Sequence, residues 1–303
     1  MPYDAKILLD SLAPCGKRLT TFEISLPKFL LAELNTHRML SRNAASSRAI
    51  PTKKIIESIL KDPVTPVWWG KNQPGMQAFE LLEPVSAQQA NFEWLESMLK
   101  AMDSAKVLVK LNAHKQIVNR LIEPFMFAKV IVSATDWANF FALRCTKYAQ
   151  PELKKIAIQM LELYESSVPI ALKDGEWHIP LIGPEDREAA SFLTEIKEEG
   201  LEMLIKASVG RCARVSYLTH DGKRDIMKDV ELHDRLIKDG HLSPFEHIAQ
   251  ALPSPDKHGN FTGFMQYRKT IKTELIAVLP RKCLKCNEYS QIPEGQSYCK
   301  ECT

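Results

Sequence analysis

The stretch from His37 to Arg48 contains the side chains best suited to chemistry in this chain. It places three arginines, three serines, an asparagine and a histidine within twelve residues. Guanidinium groups stay protonated and can each bind two phosphate oxygens, so this cluster indicates a phosphorylated ligand. The segment contains no glycine, which excludes a P-loop and a dinucleotide-binding fingerprint.

The residues before this cluster predict the elements that position it. Phe22, Ile24 and Leu26 alternate with polar residues, as in a half-buried strand. Pro27 then opens a helical pattern that runs to His37. We therefore expect the cationic cluster to begin at the end of a helix and to continue into a loop.

The same segment resembles the signature of the flavin-dependent thymidylate synthases. That signature reads Arg-His-Arg, two residues, Ser, one residue, Asn, two residues, Ser, one residue, Arg. Thr36 stands at the first arginine position, and the remaining positions are filled by His37, Arg38, Ser41, Asn43, Ser46 and Arg48. The resemblance implies an α+β fold with a mostly antiparallel central sheet flanked by long helices.

Four further segments are similar to motifs of this family. Gly240 to His247 reads Gly-His-Leu-Ser-Pro-Phe-Glu-His, and Ala213 to Ser216 reads Ala-Arg-Val-Ser; both motifs lie beside the flavin in relatives. The other two, Asn119 to Pro124 and Asn139 to Arg144, resemble arginine-containing segments that contact the nucleotide. The alternative for Ser243 is a helix start, at which its side chain caps the helix and a glutamate reaches back.

The resemblance implies a role for each matched side chain. Arg144 is the implied catalytic residue, lying against the pyrimidine ring. The implied flavin-binding residues are His37, Arg38, Ser41, Asn43, Asn139, Ser216, His241, Ser243 and Glu246. The implied substrate-binding residues are Ser46, Arg48 and Arg120, which would anchor the nucleotide phosphate, and Arg144, with Gln266 or Arg268 replacing donors that are missing near Glu33 and Thr36. The alternative for Arg120 and Arg144 is a pair of solvated helix arginines.

The order of the motifs departs from the family. In relatives the segments matching 213–216 and 240–247 precede the arginine signature, whereas here they follow it. We therefore expect a circularly permuted catalytic core over residues 1–280, followed by a small module over 281–303. Permutation preserves a fold when the original termini lie close together at the surface.

The resemblance also implies a reaction and an assembly. The family transfers a one-carbon unit from methylenetetrahydrofolate to carbon 5 of dUMP, using FAD that NADPH reduces, in homotetramers with sites between subunits. Thr36 replaces an arginine, Glu33 a glutamine, Ala44 an acidic residue and Ala49 an aromatic one. Methylation or hydroxymethylation of another pyrimidine nucleotide is therefore an alternative. A non-catalytic protein that binds nucleotides or nucleic acid on the same scaffold is another.

The cysteines divide into scattered residues and a C-terminal group. The group, C-x2-C-x12-C-x2-C, consists of Cys283, Cys286, Cys299 and Cys302. This spacing predicts a zinc ribbon, and two disulfides are the alternative. Residues 287–298 contain no lysine or arginine, so a structural role is favoured over contact with nucleic acid or a partner protein. Cys145 is interpreted as a small buried residue rather than a nucleophile.

Composition agrees with an ordinary globular protein. Of 303 residues, 45% are apolar and 25% charged, and the formal charge of +3 is too small for a protein that neutralises a nucleic-acid backbone. No transmembrane run and no secretory signal are visible, so a cytoplasmic location is expected.

Apolar spacing predicts several helices outside the motifs. Residues at three- and four-residue intervals indicate helices over 92–111 and 152–163, and less regularly over 192–205. Before the first of these, a stretch rich in proline and glycine contains Trp68 and Trp69. These side chains are expected to anchor an ordered loop, with stacking on folate or nicotinamide as the alternative.

Overall fold

The computed structural model of the protein describes residues 3–194, 196–215, 225–272, 280–290, 292 and 296–302. Its strands are β1 (Asp4–Leu12), β2 (Arg18–Pro27), β3 (Ser41–Ala44), β4 (Phe127–Ala134), β5 (Ile170–Ala171), β6 (Trp177–His178), β7 (Ala249–Ala251), β8 (Lys257–His258), β9 (Phe261–Thr262), β10 (Phe264–Gln266), β11 (Arg281–Lys282) and β12 (Tyr289–Ser290). Its α-helices are α1 (Leu31–Asn35), α2 (Thr52–Lys61), α3 (Pro84–Lys110), α4 (Lys115–Val118), α5 (Ala138–Arg144), α6 (Pro151–Ser166), α7 (Pro184–Leu193), α8 (Lys197–Ala213) and α9 (Ile226–Lys238).

A five-stranded sheet forms the centre of the fold, in the order β3-β4-β2-β1-β5. The first four strands pair in an antiparallel manner, and the short β5 runs parallel to β1. The α+β class with a mostly antiparallel sheet, predicted above, is therefore confirmed. In the described part of the chain, no helix combines the length and the apolar composition needed to cross a membrane.

Successive side chains of the central strands point to opposite faces of the sheet, and apolar residues on both faces pack against helices. Val130 and Val132 of β4 pack with Phe22 of β2 against α5 and α6. Ile131, between the two valines, packs on the opposite side in the cluster formed by α8. Burial of such a side chain contributes about 2 kcal/mol, so this alternation fixes the register of β4.

The helices agree with the sequence prediction except at one position. The helix predicted over 92–111 lies within α3 apart from its last residue, and the helix over 152–163 lies within α6. The single helix predicted over 192–205 is wrong, because α7 ends at Leu193 and α8 begins at Lys197. Thr194 causes the break: its backbone is extended, and its hydroxyl donates to the carbonyl of Ala190 (2.9 Å), closing α7.

A buried ionic cluster joins α7, α8 and α9. The guanidinium of Arg211 donates to both carboxylate oxygens of Asp186 (2.6 Å each) and to Asp229 (2.8 Å). Arg214 pairs with the other oxygen of Asp229 (2.7 Å). Gly210 allows this close approach, because a Cβ there would overlap the backbone carbonyl of Asp229. Loss of one partner would leave a buried charge uncompensated, so the cluster holds the three helices in one arrangement.

A buried chain of hydrogen bonds connects the central sheet to a second sheet, of order β10-β7-β6. His178 contacts the hydroxyls of Ser11 and Thr21 (2.8 Å each), Thr21 contacts Ser133 (2.7 Å), and Ser133 contacts Nδ1 of His247 (2.8 Å). Both histidines are fully buried, and this burial lowers the pKa of each to about 3. Both imidazoles are therefore neutral at physiological pH.

These histidines predict acid sensitivity. Their folded-state pKa lies below the usual 6.5, so their stabilising effect is complete above pH 6.5 and declines as the pH falls toward 3. By pH 5.5 each should reduce the free energy of unfolding by roughly 1 to 2 kcal/mol. Urea unfolding between pH 7.5 and 5 measures the slope, and His178→Gln or His247→Gln should flatten it. The exposed His114→Gln is the control; equal slopes in all variants would contradict the prediction.

The tryptophan-containing segment between α2 and α3 is ordered by aromatic contacts. Trp69 packs edge-on against Trp94 of α3 at a centroid distance of 6.2 Å, and Trp94 Nε1 donates to the carbonyl of Val64 (2.7 Å). Trp68 and Trp69 also line a cavity of about 300 Å³ together with Leu82. The anchoring role is thus visible for Trp69, while stacking on a cofactor stays a prediction.

At the C-terminal end, β11 pairs with β12 in a two-stranded hairpin. The predicted boundary at residue 280 adjoins residues 273–279, which lie outside the described residues. The division into a core and a C-terminal module remains a prediction.

Candidate functional site

The arginine-rich segment runs from the end of α1 into an edge strand of the central sheet. Ser41 to Ala44 form β3, in which Ser41 pairs with Ser133 and Asn43 with Ile131 of β4. The expectation that the segment continues from the helix end into a loop is therefore wrong for Ser41–Ala44, which form a strand. Pairing with β4 satisfies its backbone groups and points Ser41 and Asn43 to one side and Arg42 to the other.

His37 and Arg144 form the central contact of the site. Arg144, at the last position of α5, donates through Nε to Nε2 of His37 (2.8 Å). His37 is buried and packs edge-on against Phe140 (5.0 Å). Burial, together with the charges of Arg144 and Arg42, lowers the pKa of His37 to about 4. The ring is thus a neutral acceptor that holds the guanidinium in place.

Thr36, at the position of the first signature arginine, also contacts this guanidinium. Its hydroxyl lies 3.4 Å from Nη2 of Arg144 and donates to the backbone carbonyl of Glu33 (2.7 Å). A small hydroxyl group therefore stands beside the catalytic candidate where relatives have a cation.

Residues 243–247 lie against β3, although about 200 positions separate them in sequence. Ser243 donates to Oδ1 of Asn43 at 3.5 Å, and Asn43 Nδ2 donates to the carbonyl of Cys212 (2.6 Å). The alternative for Ser243, a capped helix start, is wrong: these residues form a short 3₁₀ segment without a side-chain cap. The carboxylate of Glu246 instead accepts a hydrogen bond from Arg268.

Gln266 ties the same elements together from the second sheet. Its amide nitrogen donates to the hydroxyl of Ser41 and to the carbonyl of Glu246, both at 2.9 Å. Its oxygen accepts from the backbone N–H of Asn260 (3.1 Å). Gly259, with φ of 69°, is required here because a Cβ would overlap this carboxamide. Gln266 therefore contacts the signature at Ser41 rather than at Thr36.

Two cations stand on the outer side of this arrangement. Burial lowers the pKa of Arg42, as does the nearby charge of Arg38, whereas Glu246 opposes both effects. Arg42 also donates to the carbonyls of Leu34 (3.2 Å) and His37. Arg38 itself is exposed.

Other predicted flavin residues are exposed or lie outside the described residues. His241 and Asn139 are exposed side chains. Ser216 falls in residues 216–224, outside the described part of the chain. For these three residues the flavin-binding role stays a prediction.

The predicted phosphate-binding residues form a second group, at the opposite end of β3. Arg120 donates to both oxygens of Glu123 (2.9 and 3.1 Å), and Glu123 accepts from the hydroxyl of Ser47 (2.5 Å). Ser46 and Arg48 are exposed. Glu123 thus links Arg120 to the signature, a contact that the motifs alone did not indicate.

With this geometry in place, the chain can be compared with known proteins. A family model described as thymidylate synthase complementing protein matches residues 17–170, just over half of the chain. The chain belongs to this family. The match begins just before β2 and ends at β5, so it contains the signature, Arg120 and Arg144. A search of curated proteins finds no match.

Among solved structures, two of the same enzyme resemble the chain. The UMP/dUMP methylase PolB from Streptomyces cacaoi bound with 5-Br UMP has 13% sequence identity and a TM-score of 0.43, covering 54% of this chain and 88% of that chain. With 5-Br dUMP bound, the values are 16% and 0.39, covering 48% of this chain and 65% of that chain. Membership of the thymidylate synthase complementing protein family therefore rests on the match over residues 17–170.

The C-terminal cysteines form a separate candidate metal centre. The sulfur atoms of Cys283, Cys286, Cys299 and Cys302 all lie within 4.8 Å of one another. Cys286 and Cys299 sulfurs are 3.7 Å apart, close to the roughly 3.8 Å edge of a tetrahedron with Zn–S bonds of about 2.3 Å. The cysteines are free thiols, so the disulfide alternative is not supported. Backbone N–H groups of Cys286 and Cys299 lower the pKa of Cys283 to about 6, favouring a thiolate.

Three residues of the site escaped the sequence prediction. Arg42 lies between matched signature positions, and Glu123 lies between Arg120 and Pro124 in a matched segment, so position in the motifs could have indicated both. Asn260 precedes Gln266 by six residues and carries no comparable signal. Cys145 is half-buried and burial raises its pKa, which agrees with its interpretation as an unreactive thiol.

Proposed function

We propose that the protein is a flavin-dependent enzyme that methylates carbon 5 of a pyrimidine deoxynucleotide, with conversion of dUMP to dTMP as the main reaction. Family membership supports methylation of a pyrimidine nucleotide in general. The contact between Arg144 and the neutral ring of His37 carries the finer proposal. It fixes one edge of the guanidinium, and apart from the 3.4 Å contact of Nη2 with Thr36 the other N–H donors can serve a base.

In this proposal Arg144 acts on the pyrimidine ring. Negative charge develops on the ring oxygens as carbon 5 becomes nucleophilic, and a guanidinium already in place stabilises that charge without reorganisation. His37 cannot compete for a proton, because its pKa lies near 4. When bound, FAD supplies the hydride and methylenetetrahydrofolate the carbon, and NADPH restores the reduced flavin.

The residues around β3 fit an anionic flavin cofactor. Arg38 and Arg42 provide positive charge for the pyrophosphate of FAD, and Ser243 and the exposed His241 provide further polar groups beside it. Glu246 pairs with Arg268, which keeps its carboxylate from neutralising the nearby Arg42 completely.

We further propose that motif order in this chain reflects circular permutation. The contacts Ser243 to Asn43 and Gln266 to Ser41 join late segments to the early signature. A permuted chain makes the same contacts through different connections.

We propose that the site is completed by a second copy of the chain, as the resemblance to homotetramers with sites between subunits implies. The group at Arg144 and the group at Arg48 lie at opposite ends of β3, whose four residues span about 13 Å. In this arrangement one chain would supply the base contact and another the phosphate contact. The inactive variants Arg144→Met and Arg48→Met should therefore regain activity when mixed and reassembled. Failure of the mixture to recover activity, despite a mixed oligomer, would exclude a shared site.

A direct test combines spectroscopy with product analysis. Purified protein should show a flavin absorption spectrum or acquire one with FAD, and dUMP should raise its melting temperature. Mass analysis of the products from dUMP and dCMP, with reduced FAD and methylenetetrahydrofolate, then identifies the base and the group transferred. Colourless protein that takes up no FAD would refute the assignment of His37 and Arg38. A hydroxymethyl product, or turnover of dCMP alone, would select the alternative substrates.

We also propose that the four C-terminal cysteines bind Zn²⁺ in a structural ribbon. The support is their mutual distance, the hairpin that carries the first pair, and the small apolar cluster around them, formed by Ile292 and the cysteines themselves.

A further inference from the structure

Lysines outside the family motifs hold the segment that carries Ser46 and Arg48. The carbonyl oxygen of Ala45 accepts a hydrogen bond from Lys28 Nζ at 3.1 Å. The carbonyl of Ala49 accepts one from Lys115 Nζ at 3.0 Å. An ammonium group therefore stands at each end of the segment.

The inner side of the same segment is fixed by a buried amide. Asn119 Nδ2 donates to the carbonyls of Ser47 (2.8 Å) and Ile50 (3.0 Å), and its oxygen accepts from the hydroxyl of Thr52 (2.6 Å). The hydroxyl of Ser47 donates to Glu123. The backbone is thus positioned before any ligand arrives, while the side chain of Arg48 remains exposed.

The charge around this segment is strongly positive. Four positive charges lie here, on Lys28, Lys115, Arg48 and Arg120. The negative charge of Glu123 pairs with Arg120. Burial lowers the pKa of Lys28, as does the charge of Arg120, and Glu123 opposes this. Like charges held together by backbone carbonyls lower the stability of the free protein and favour a bound anion.

We propose that Lys28 and Lys115 are positioning residues of a binding site for the dianionic phosphate of the nucleotide, located on residues 45–49. Each ammonium carries three N–H donors, so bonding to a carbonyl leaves donors and the full charge available. The inference rests on the proposed function for the phosphate site that Ser46 and Arg48 would supply, and what it adds is the role of Lys28 and Lys115.

The test compares ligands with and without phosphate. Binding of dUMP, dCMP, deoxyuridine and deoxycytidine is measured for the wild-type protein and for Lys115→Met. Removing one of the positive charges around this segment should weaken nucleotide binding about fivefold to tenfold. Nucleoside binding should change by less than about twofold, the melting temperature should be unchanged, and Lys115→Arg should restore nucleotide affinity. Lys28→Met, at a half-buried position, is a second variant whose melting temperature must be checked first.

The control is Lys173→Met, which follows β5 at the edge of the sheet opposite to β3. It should leave nucleotide binding unchanged. Equal nucleotide affinity in Lys115→Met and wild type, or equal loss for nucleotide and nucleoside, would overturn the inference. If wild type binds neither nucleotide, the proposed function fails, and inorganic phosphate then tests the site alone. Stabilisation by phosphate that Lys115→Met abolishes supports the site, and equal stabilisation overturns it.

Discussion

Substitution of Arg144 by lysine should lower the rate of the methylation step by roughly 100-fold to 1,000-fold, the usual cost of losing one preorganised donor that stabilises developing charge. The wild-type guanidinium donates to His37 through Nε, and its other two nitrogens take no part in this bond. A lysine ammonium is a single point charge, so it cannot satisfy the ring nitrogen and a pyrimidine oxygen in this planar geometry. Single-turnover kinetics with reduced FAD and methylenetetrahydrofolate isolates the chemical step.

Two further variants separate chemistry from folding. Arg235→Lys, at an exposed position of α9, should retain the wild-type rate. His37→Leu removes the acceptor while leaving Arg144 in the chain, and we expect a smaller loss of about tenfold from imperfect orientation. A rate for Arg144→Lys within tenfold of wild type, with nucleotide still bound, would remove Arg144 from the reaction.

Much of the scaffold around Arg144 could be predicted from local patterns. Phe22, Ile24 and Leu26 alternate over a strand that is buried in the structure, and the apolar spacing within α3 and α6 matches their buried faces. Such predictions succeed because the period of the burial pattern is written in consecutive residues.

The edge strand β3 could not be found in this way. Its side chains are polar and lack a two-residue apolar alternation, and its backbone partners in β4 lie about 90 residues away. Likewise the break at Thr194 depends on a hydroxyl bonding to the carbonyl of Ala190, which the apolar spacing of 192–205 does not reveal. Local propensity is a weak guide where tertiary pairing decides.

The site shows the same division. Family motifs identified Arg144, His37 and Glu246, yet they did not indicate which of these touch. Ser41 and Gln266 are 225 positions apart and share a hydrogen bond, and Glu246 pairs with Arg268 instead of capping a helix. Lysines at 28 and 115 had no motif to mark them, because a lone lysine usually lies in solvent. Their contacts with the carbonyls of residues 45 and 49 emerge only from the folded chain.

Removal of zinc should unfold the β11–β12 hairpin and the segment that carries Cys299 and Cys302. The apolar cluster of this segment contains Ile292 and cysteines, which is too little burial to offset the entropy of ordering the chain. Zinc-thiolate bonds contribute about 10 to 16 kcal/mol of apparent binding free energy in comparable small modules. We expect about one zinc per chain in purified protein. Lys282 and Lys285 are already exposed, so chelation should make the chain susceptible to trypsin at these residues by unfolding their backbone.

Variants of single cysteines distinguish this metal from disulfides. Cys299→Ser removes a buried ligand and should abolish zinc binding and protection from trypsin, whereas Cys15→Ser, outside the group, should change neither. Flavin uptake and the main melting transition should survive in both variants if the ribbon is an autonomous module. The contrary result is purified protein that contains no metal and in which a thiol assay finds two disulfides among the four C-terminal cysteines. That result would contradict the zinc assignment. A shared loss of flavin binding and zinc would instead mean that the ribbon helps to form the catalytic core.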